Sequence, residues 1–261
     1  MVGGRPARLP DAVRVYAIGD VHGRLDLLRK LEAQIEADIA ARDDGARPLL
    51  VYLGDYVDRG FESMGVIEHL CGPALDGCDR VLLLGNHDAW MRDFLDGQPV
   101  GPNWLRFGGD ATLLSYGVRV DFKQPEEARI AAAQTSLVER VPAHHRTFLA
   151  ELELAFALGD YFFCHAGIRP GLALEEQGEL DLIWIREPFL GWEGECGKVI
   201  VHGHTVEDEP VVRHNRIGVD TGACFTGRLT CLVLEGDEFR FLTRRLLEQA
   251  EAIYEQWPHV A

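Results

Sequence analysis

LLVYLGDYVDRG, Leu49 to Gly60, decides how the rest of the chain is read. Leu49 to Leu53 is an unbroken apolar run, the pattern of a strand buried on both faces. It stops at Gly54, and Asp55, Asp58 and Arg59 follow before Gly60 closes the segment. A carboxylate just beyond a buried strand needs a partner, because burial without one is costly. Asp55 therefore asks for a cation or for donors supplied by other parts of the chain.

The same arrangement recurs along the sequence. Val13 to Ile18 leads into GDVHG (Gly19 to Gly23), and Val81 to Leu84 leads into GNHD (Gly85 to Asp88). Tyr161 to Cys164 leads into HAG (His165 to Gly167), and Val199 to Val201 into HGHT (His202 to Thr205). Between the first strands, Arg24 to Ala41 has helical periodicity, with Leu25, Leu28, Leu31 and Ile35 on one face; Ser63 to Cys71 and Asp88 to Leu95 read as further helices. This alternation predicts an α/β sheet with its site beyond the carboxyl ends of the strands. Further on, Ala111 to Tyr116, Pro125 to Glu139 and Pro142 to Leu149 are predicted helices. Leu152 to Leu158 and Tyr161 to Cys164 flank Gly159-Asp160 as a hairpin. Val211 to Val219 and Leu229 to Phe241 read as strands turning at His214-Asn215 and Gly236-Asp237, and Leu242 to Gln256 as a closing helix. No linker interrupts residues 1–261, so a single domain is expected, with the Gly/Pro-rich residues 1–12 as a flexible N-terminal segment.

The formal charge of −16 argues against nucleic acid as a partner, since phosphate backbones bind Lys and Arg. A local pair of arginines can still hold a small phosphorylated substrate. Cys71, Cys78, Cys164, Cys196, Cys224 and Cys231 form no CxxC pair and read as reduced thiols. The N-terminal residues lack the apolar core of a signal peptide, and no run has the length of a membrane span. A cytoplasmic protein without membrane contact is expected; the oligomeric state is not encoded in any motif.

The five charged loops together offer Asp, Asn and His, with no thiolate inside a motif. A lone histidine after a strand is commonly a hydrogen-bonded loop residue. Five such loops at one sheet edge are not explained that way. Oxygen donors mixed with imidazole suit Mn, Fe or Zn. The supply exceeds the needs of one ion, which points to two metals sharing a carboxylate, with Asp55 as the bridge.

In this order the motifs resemble the PPP family of serine/threonine protein phosphatases, within the calcineurin-like metallophosphoesterase superfamily. GDxHG, GDYVDRG and GNHD match without a gap, and the likeness continues through HAG and HGHT to VDTGA at Val219 to Ala223. FGGDATLLSYG (Phe107 to Gly117) and WIRE (Trp184 to Glu187) resemble bacterial and phage-type members. The resemblance implies a four-layer αββα sandwich, two mixed sheets flanked by helices. It implies one metal held by Asp20, His22 and Asp55, and a second by Asp55, Asn86, His165 and His204. Two divalent ions about 3.5–4 Å apart would then activate a water for in-line attack on phosphorus. Mn2+ is the expected occupant, with Fe and Zn compatible. Arg59, and Arg186 in WIRE, would grip phosphate oxygens. His87 would protonate the leaving group, and Asp58 would hold the tautomer and charge of His87.

Within HGHT the family pattern selects His204 over His202, which would then be a hydrogen-bonded neighbour. Many superfamily relatives carry Gly-His-x-His; Val206 stands at the last position here, which favours the PPP branch. Asp220 resembles a supporting residue. His144-His145, Glu175-Glu176 and Glu207-Asp208-Glu209 read as solvated. The substrate expected from the resemblance is a phosphorylated protein. The alternative is a small phosphoester, as in the symmetrical dinucleoside tetraphosphatases, which usually lack the DRG of Asp58 to Gly60. A catalytically silent phosphate-binding scaffold is the third reading, disfavoured because every expected ligand and His87 are present.

Overall fold

The computed structural model describes residues 5–42 and 45–245. In chain order, β1 (Val13–Ile18), α1 (Leu25–Ala40), β2 (Arg47–Tyr52), α2 (Ser63–Cys71), β3 (Asp79–Leu82) and α3 (Asn86–Leu95) form the first half. Then come α4 (Gly101–Trp104), α5 (Asp110–Ser115), α6 (Glu126–Arg140), α7 (Ala143–Glu151), β4 (Ala155–Leu158), β5 (Tyr161–Cys164) and α8 (Glu179–Trp184). β6 (Val199–His202), β7 (Val211–Val212), β8 (Arg216–Gly218), α9 (Ala223–Thr226), β9 (Arg228–Glu235) and β10 (Glu238–Arg245) complete it.

One sheet has the order β10-β9-β1-β2-β3 and the other β4-β5-β6-β8-β7. Both are mixed. β1, β2 and β3 run parallel, with β9 antiparallel to β1. In the second sheet β5, β6 and β8 run parallel, with β4 and β7 antiparallel at the edges. The period-2 geometry of strands explains the layering. Val15 and Ala17 of β1 join Val51, Phe163, Val201 and Leu232 in the core between the sheets. Tyr16 and Ile18, on the other face of β1, pack with Leu28, Leu31 and Ile35 of α1 and with α2. The outer face of the second sheet buries Phe162, Ile200, Leu182 and Ile183. Helices thus cover both outer faces of a sheet pair, the expected αββα architecture.

Three expectations differ from what forms. Leu242 continues β10 through Arg245, paired with β9, where a helix was expected; the rest of that segment, 246–256, lies outside the described residues. The hydrophobic pattern there fits both periods, and the β9 edge decides for the strand. Arg5 ion-pairs with Asp160, Leu9 is buried, and the Leu9 amide donates to Gly236 at 2.9 Å. Over residues 5–12 the N-terminal segment is therefore tied to the sandwich, its apolar residues filling the end of the inter-sheet core. The third helix begins at Asn86, two residues earlier than the periodicity predicts, because Asp88 caps it by accepting from the Gly85 amide at 3.0 Å. Among the described residues, no helix is long and apolar enough to cross a membrane. All six cysteines are free thiols.

Candidate metal centre

The carboxyl ends of the parallel strands meet at one edge, and each presents a motif loop there. Asp20 and His22 follow β1. Asp55, Asp58 and Arg59 follow β2. Asn86 and His87 open α3 after β3, His165 follows β5, and His204 lies two residues past the end of β6. The first two loops are stitched by backbone: the His22 amide donates to Asp55 at 2.8 Å, and the Gly60 amide donates to His22 at 3.1 Å. Gly85 permits the close approach of the third loop. A Cβ there would lie 2.2 Å from both the amide nitrogen and Oδ1 of Asp55. Asp88 clamps the same junction, accepting from the Asp55 amide at 2.7 Å and from the Tyr56 amide at 2.9 Å.

The loops are held under strain. Among the described non-glycine residues, positive φ occurs at His22 (44°), Asp55 (53°), Asp58 (74°), Arg59 (66°) and His204 (64°), and otherwise only at Ala12. Each such conformation costs about 1–3 kcal/mol and persists only where the surroundings hold it. Apart from Ala12, the strained residues are all ones that the sequence singled out.

Asp55 is common to two tight clusters of donors. His22, Asp55 and His87 form one, and Asp55, His165 and His204 the other, with ligand atoms within 4.8 Å of one another in each. The tautomers can be read from second partners. His22 donates Nδ1–H to the Val57 carbonyl at 2.8 Å, which leaves Nε2 as a lone pair 3.4 Å from Asp55 Oδ2. His165 donates Nδ1–H to the Leu53 carbonyl at 2.9 Å. Its Nε2 lone pair then faces Asn86 Oδ1 at 3.0 Å and Asp55 Oδ1 at 3.4 Å. At His165 these buried acceptors facing one another favour a cation between them. His204 Nε2 and Asp220 Oδ2 are buried with no hydrogen-bond partner. Burial lowers His22 to about 3 and His204 to about 2, so both imidazoles are neutral, the form in which histidine ligates metal. Burial, with Asp220 and Asp55 close by, pushes Asp20 well above the usual carboxylate range, and burial raises Asp220 to about 6. This crowd of buried carboxylates and neutral imidazoles fits divalent metal ions.

Asp20 stands outside the two clusters, its carboxylate accepting the His204 amide at 3.1 Å. His204, rather than His202, joins Asp55 and His165. His202 is buried with its ring edge-on to Phe189, 5.2 Å between centroids. Asp58 is fully buried and accepts from His87 Nδ1 at 2.6 Å, Thr112 Oγ1 at 2.6 Å and Trp104 Nε1 at 2.9 Å. Its carboxylate is therefore committed to His87 and leaves Arg59 for other work. Arg59 instead donates to His22 Nε2 at 2.7 Å and His87 Nε2 at 3.0 Å, with its guanidinium over Phe225 at 5.4 Å. Arg186 is exposed at the rim and donates to the His204 carbonyl at 3.4 Å.

A profile of the calcineurin-like phosphoesterase family matches residues 13–223, which spans every one of these loops. The chain belongs to that family. A calcineurin-like phosphoesterase is a metal-dependent hydrolase of phosphoric esters, in keeping with the buried donor clusters. The chain is 28% identical to the asymmetrical bis(5'-nucleosyl)-tetraphosphatase PrpE of Bacillus mycoides, over 82% of this chain and 88% of that protein. A Bacillus thuringiensis protein of the same name matches at 28% over the same shares. Among solved structures, a candidate diadenosine tetraphosphatase superposes with TM-score 0.61 at 21% identity, covering 91% of this chain and 98% of that one. The cold-active protein-tyrosine phosphatase of a psychrophilic Shewanella superposes with TM-score 0.56 at 19% identity, covering 92% and 82%. The structural likenesses show a shared fold.

Sequence reasoning missed Trp104, which has no motif, and gave no role to Thr112 within FGGDATLLSYG. The last residue of GNHD, Asp88, was readable only as a helix residue. The His144-His145 pair is not simply solvated: His145 is fully buried and His144 exposed. The neighbours α2 and α5 decide this, for Tyr116 at the end of α5 covers His145.

Proposed function

We propose that this calcineurin-like phosphoesterase hydrolyses dinucleoside tetraphosphates. The observation that carries this reading is a shelf of aromatic rings beside the metal centre. Trp90 packs edge-on to His87 at 5.5 Å, Phe107 stacks on Trp90 at 5.6 Å with half its surface exposed, and Trp184 joins Trp90 to His204. On the other side Phe225, 69% exposed, underlies Arg59. Nucleobases stack on such faces with about 1–3 kcal/mol per base. The asymmetrical tetraphosphatases that match the chain support the same substrate class.

Two divalent cations, Mn2+ first among the candidates, would be held by Asp20, His22 and Asp55 and by Asp55, Asn86, His165 and His204. When bound, such ions lower the pKa of a water and neutralise phosphoryl oxygens. Arg59 and Arg186 grip the phosphate chain, and a guanidinium matches two of its oxygens at once. His87, held at Nδ1 by Asp58, would offer a proton from Nε2 to the leaving oxygen once Arg59, which donates to that nitrogen here at 3.0 Å, has turned to phosphate and Nε2 is protonated.

That last pair favours a second reading, a phosphoserine/phosphothreonine protein phosphatase. A nucleoside phosphate leaves without protonation, whereas a serine alkoxide needs an acid, and the His87–Asp58 pair is built to supply one. Turnover of diadenosine tetraphosphate and of a phosphothreonine peptide, side by side with manganese, separates the two. Faster loss of the dinucleotide, with products resolved as AMP plus ATP or as two ADP, supports the proposal and gives the cleavage point. Faster release of phosphate from the peptide overturns it in favour of the protein phosphatase.

A further inference from the structure

The end of α2 farthest from the metal centre carries a second set of metal donors. Glu68 and Cys71 lie three residues apart on α2, which puts them on one helix face. His144 and His145 open α7 directly opposite. Glu68 Oε2 lies 2.8 Å from both His144 Nε2 and His145 Nε2. Cys71 Sγ and one nitrogen from each histidine lie within 4.8 Å of one another. We propose that Cys71, His144, His145 and Glu68 form a zinc site, separate from the phosphoesterase centre, that staples α2 to α7.

The donor chemistry selects the ion. One thiolate, two imidazoles and a carboxylate suit tetrahedral Zn2+, for which thiolate is a favoured ligand. Zn–N and Zn–S bonds near 2.0 and 2.3 Å imply ligand–ligand separations of about 3.3–3.6 Å. Donors within 4.8 Å reach this by moving inward by roughly 1 Å. His144 and Glu68 are free to do so, with 53% and 59% of their side chains exposed, while His145 is fixed by burial. Tyr116 Oη lies 2.8 Å from His145 Nδ1. Its hydroxyl can accept Nδ1–H and leave Nε2 as the ligating lone pair, the outer support usual for a metal-bound histidine. Cys71 and His144 also line a cleft of about 310 Å3, which gives an ion its way in.

The rest of α2 keeps this site apart from the catalytic edge. Nine helical residues span about 13 Å, and the opposite end of α2 begins at Ser63, which accepts the Asp58 amide at 3.1 Å. Burial, with Glu68 close by, holds the Cys71 thiol above its ordinary value, so without metal it stays protonated and unreactive. A bound cation reverses that balance and displaces the proton.

Cobalt is the probe, because a thiolate-bound Co2+ shows a near-ultraviolet charge-transfer band and the phosphoesterase clusters contain no cysteine. The full-length protein, stripped with chelator and titrated with Co2+, should develop the band. Cys71→Ser should lose it, and after loading with Zn2+ should hold one zinc per chain fewer than wild type, with phosphoesterase turnover unchanged. His144→Ala, at an exposed position, should weaken cobalt at this site at least about tenfold. A saturated wild-type protein with no band overturns the proposal. So does a band that persists in Cys71→Ser, or equal zinc content in wild type and variant.

Discussion

Asp58→Asn tests the chemistry assigned to His87 more sharply than removing His87 itself. The replacement is isosteric, and the buried pocket offers fixed partners. Thr112 Oγ1 donates to Asp58 Oδ1 at 2.6 Å and Trp104 Nε1 donates to the same oxygen at 3.1 Å, so an Asn amide oxygen in that place satisfies both. Its NH2 group then faces His87 Nδ1, where the native carboxylate accepts at 2.6 Å. His87 Nδ1 can no longer donate, and its doubly protonated form loses a charge-assisted hydrogen bond worth about 1.5–3 kcal/mol. That is a roughly ten- to hundredfold smaller population of the acid. The assay is kcat on three manganese-supplied substrates: an alkyl phosphate such as phosphoserine, an aryl phosphate and diadenosine tetraphosphate. The alkyl substrate should slow by that ten- to hundredfold factor. The other two should change little, because their leaving groups depart as stable anions. Metal content should be unchanged, since Asp58 sits behind His87 and touches neither His22 nor His165. Equal losses on all three substrates, with metals intact, would refute the assignment of His87 as proton donor.

Asp55→Asn removes the charge shared by both donor clusters, and metal analysis should find affinity for both ions reduced; two tightly held ions in this variant would refute the bridging role. Phe107→Ala takes away an exposed ring of the aromatic shelf. It should cost diadenosine tetraphosphate roughly 5- to 100-fold in kcat/KM and leave an aryl phosphate untouched. A variant that cleaves the dinucleotide at the native rate removes the shelf from substrate binding. The hydrogen-bonded pair with Arg24 lowers Asp26 below its ordinary value, so its stabilisation is complete above about pH 3.9 and disappears as pH falls through the lower folded value. Asp26→Asn should therefore cost about 1 kcal/mol in urea unfolding at neutral pH, the pair being part-buried at the surface. The gap to wild type should close in acid, and a gap that widens instead contradicts the pairing.

The loop motifs were legible because their chemistry is local in sequence. Each apolar run ends in glycine, aspartate or histidine, and the parallel β1-β2-β3 and β5-β6 sets bring those ends to one edge. Helix α2 and the hairpin of β4 and β5 were legible for the same reason, since periodicity and turn residues act within a few positions. By itself the sequence determined the α/β class and the loops that carry the Asp, Asn and His donors, while the choice of His204 over His202 rested on resemblance to a family. Only the tertiary structure decided what else surrounds those carboxylates. Trp104 and Thr112 approach Asp58 across 46 and 54 residues, and Asp88 secures Asp55 across 33. Such contacts leave no periodic trace. The end of β10 was misread because its side chains satisfy either period until the β9 edge is present to pair with it. His144 and His145 looked solvated because Glu68, Cys71 and Tyr116 reach them only when α2, α5 and α7 are packed together. Local backbone preference is written residue by residue, whereas the partner of a buried charge is chosen by whatever the folded chain places within three ångströms of it.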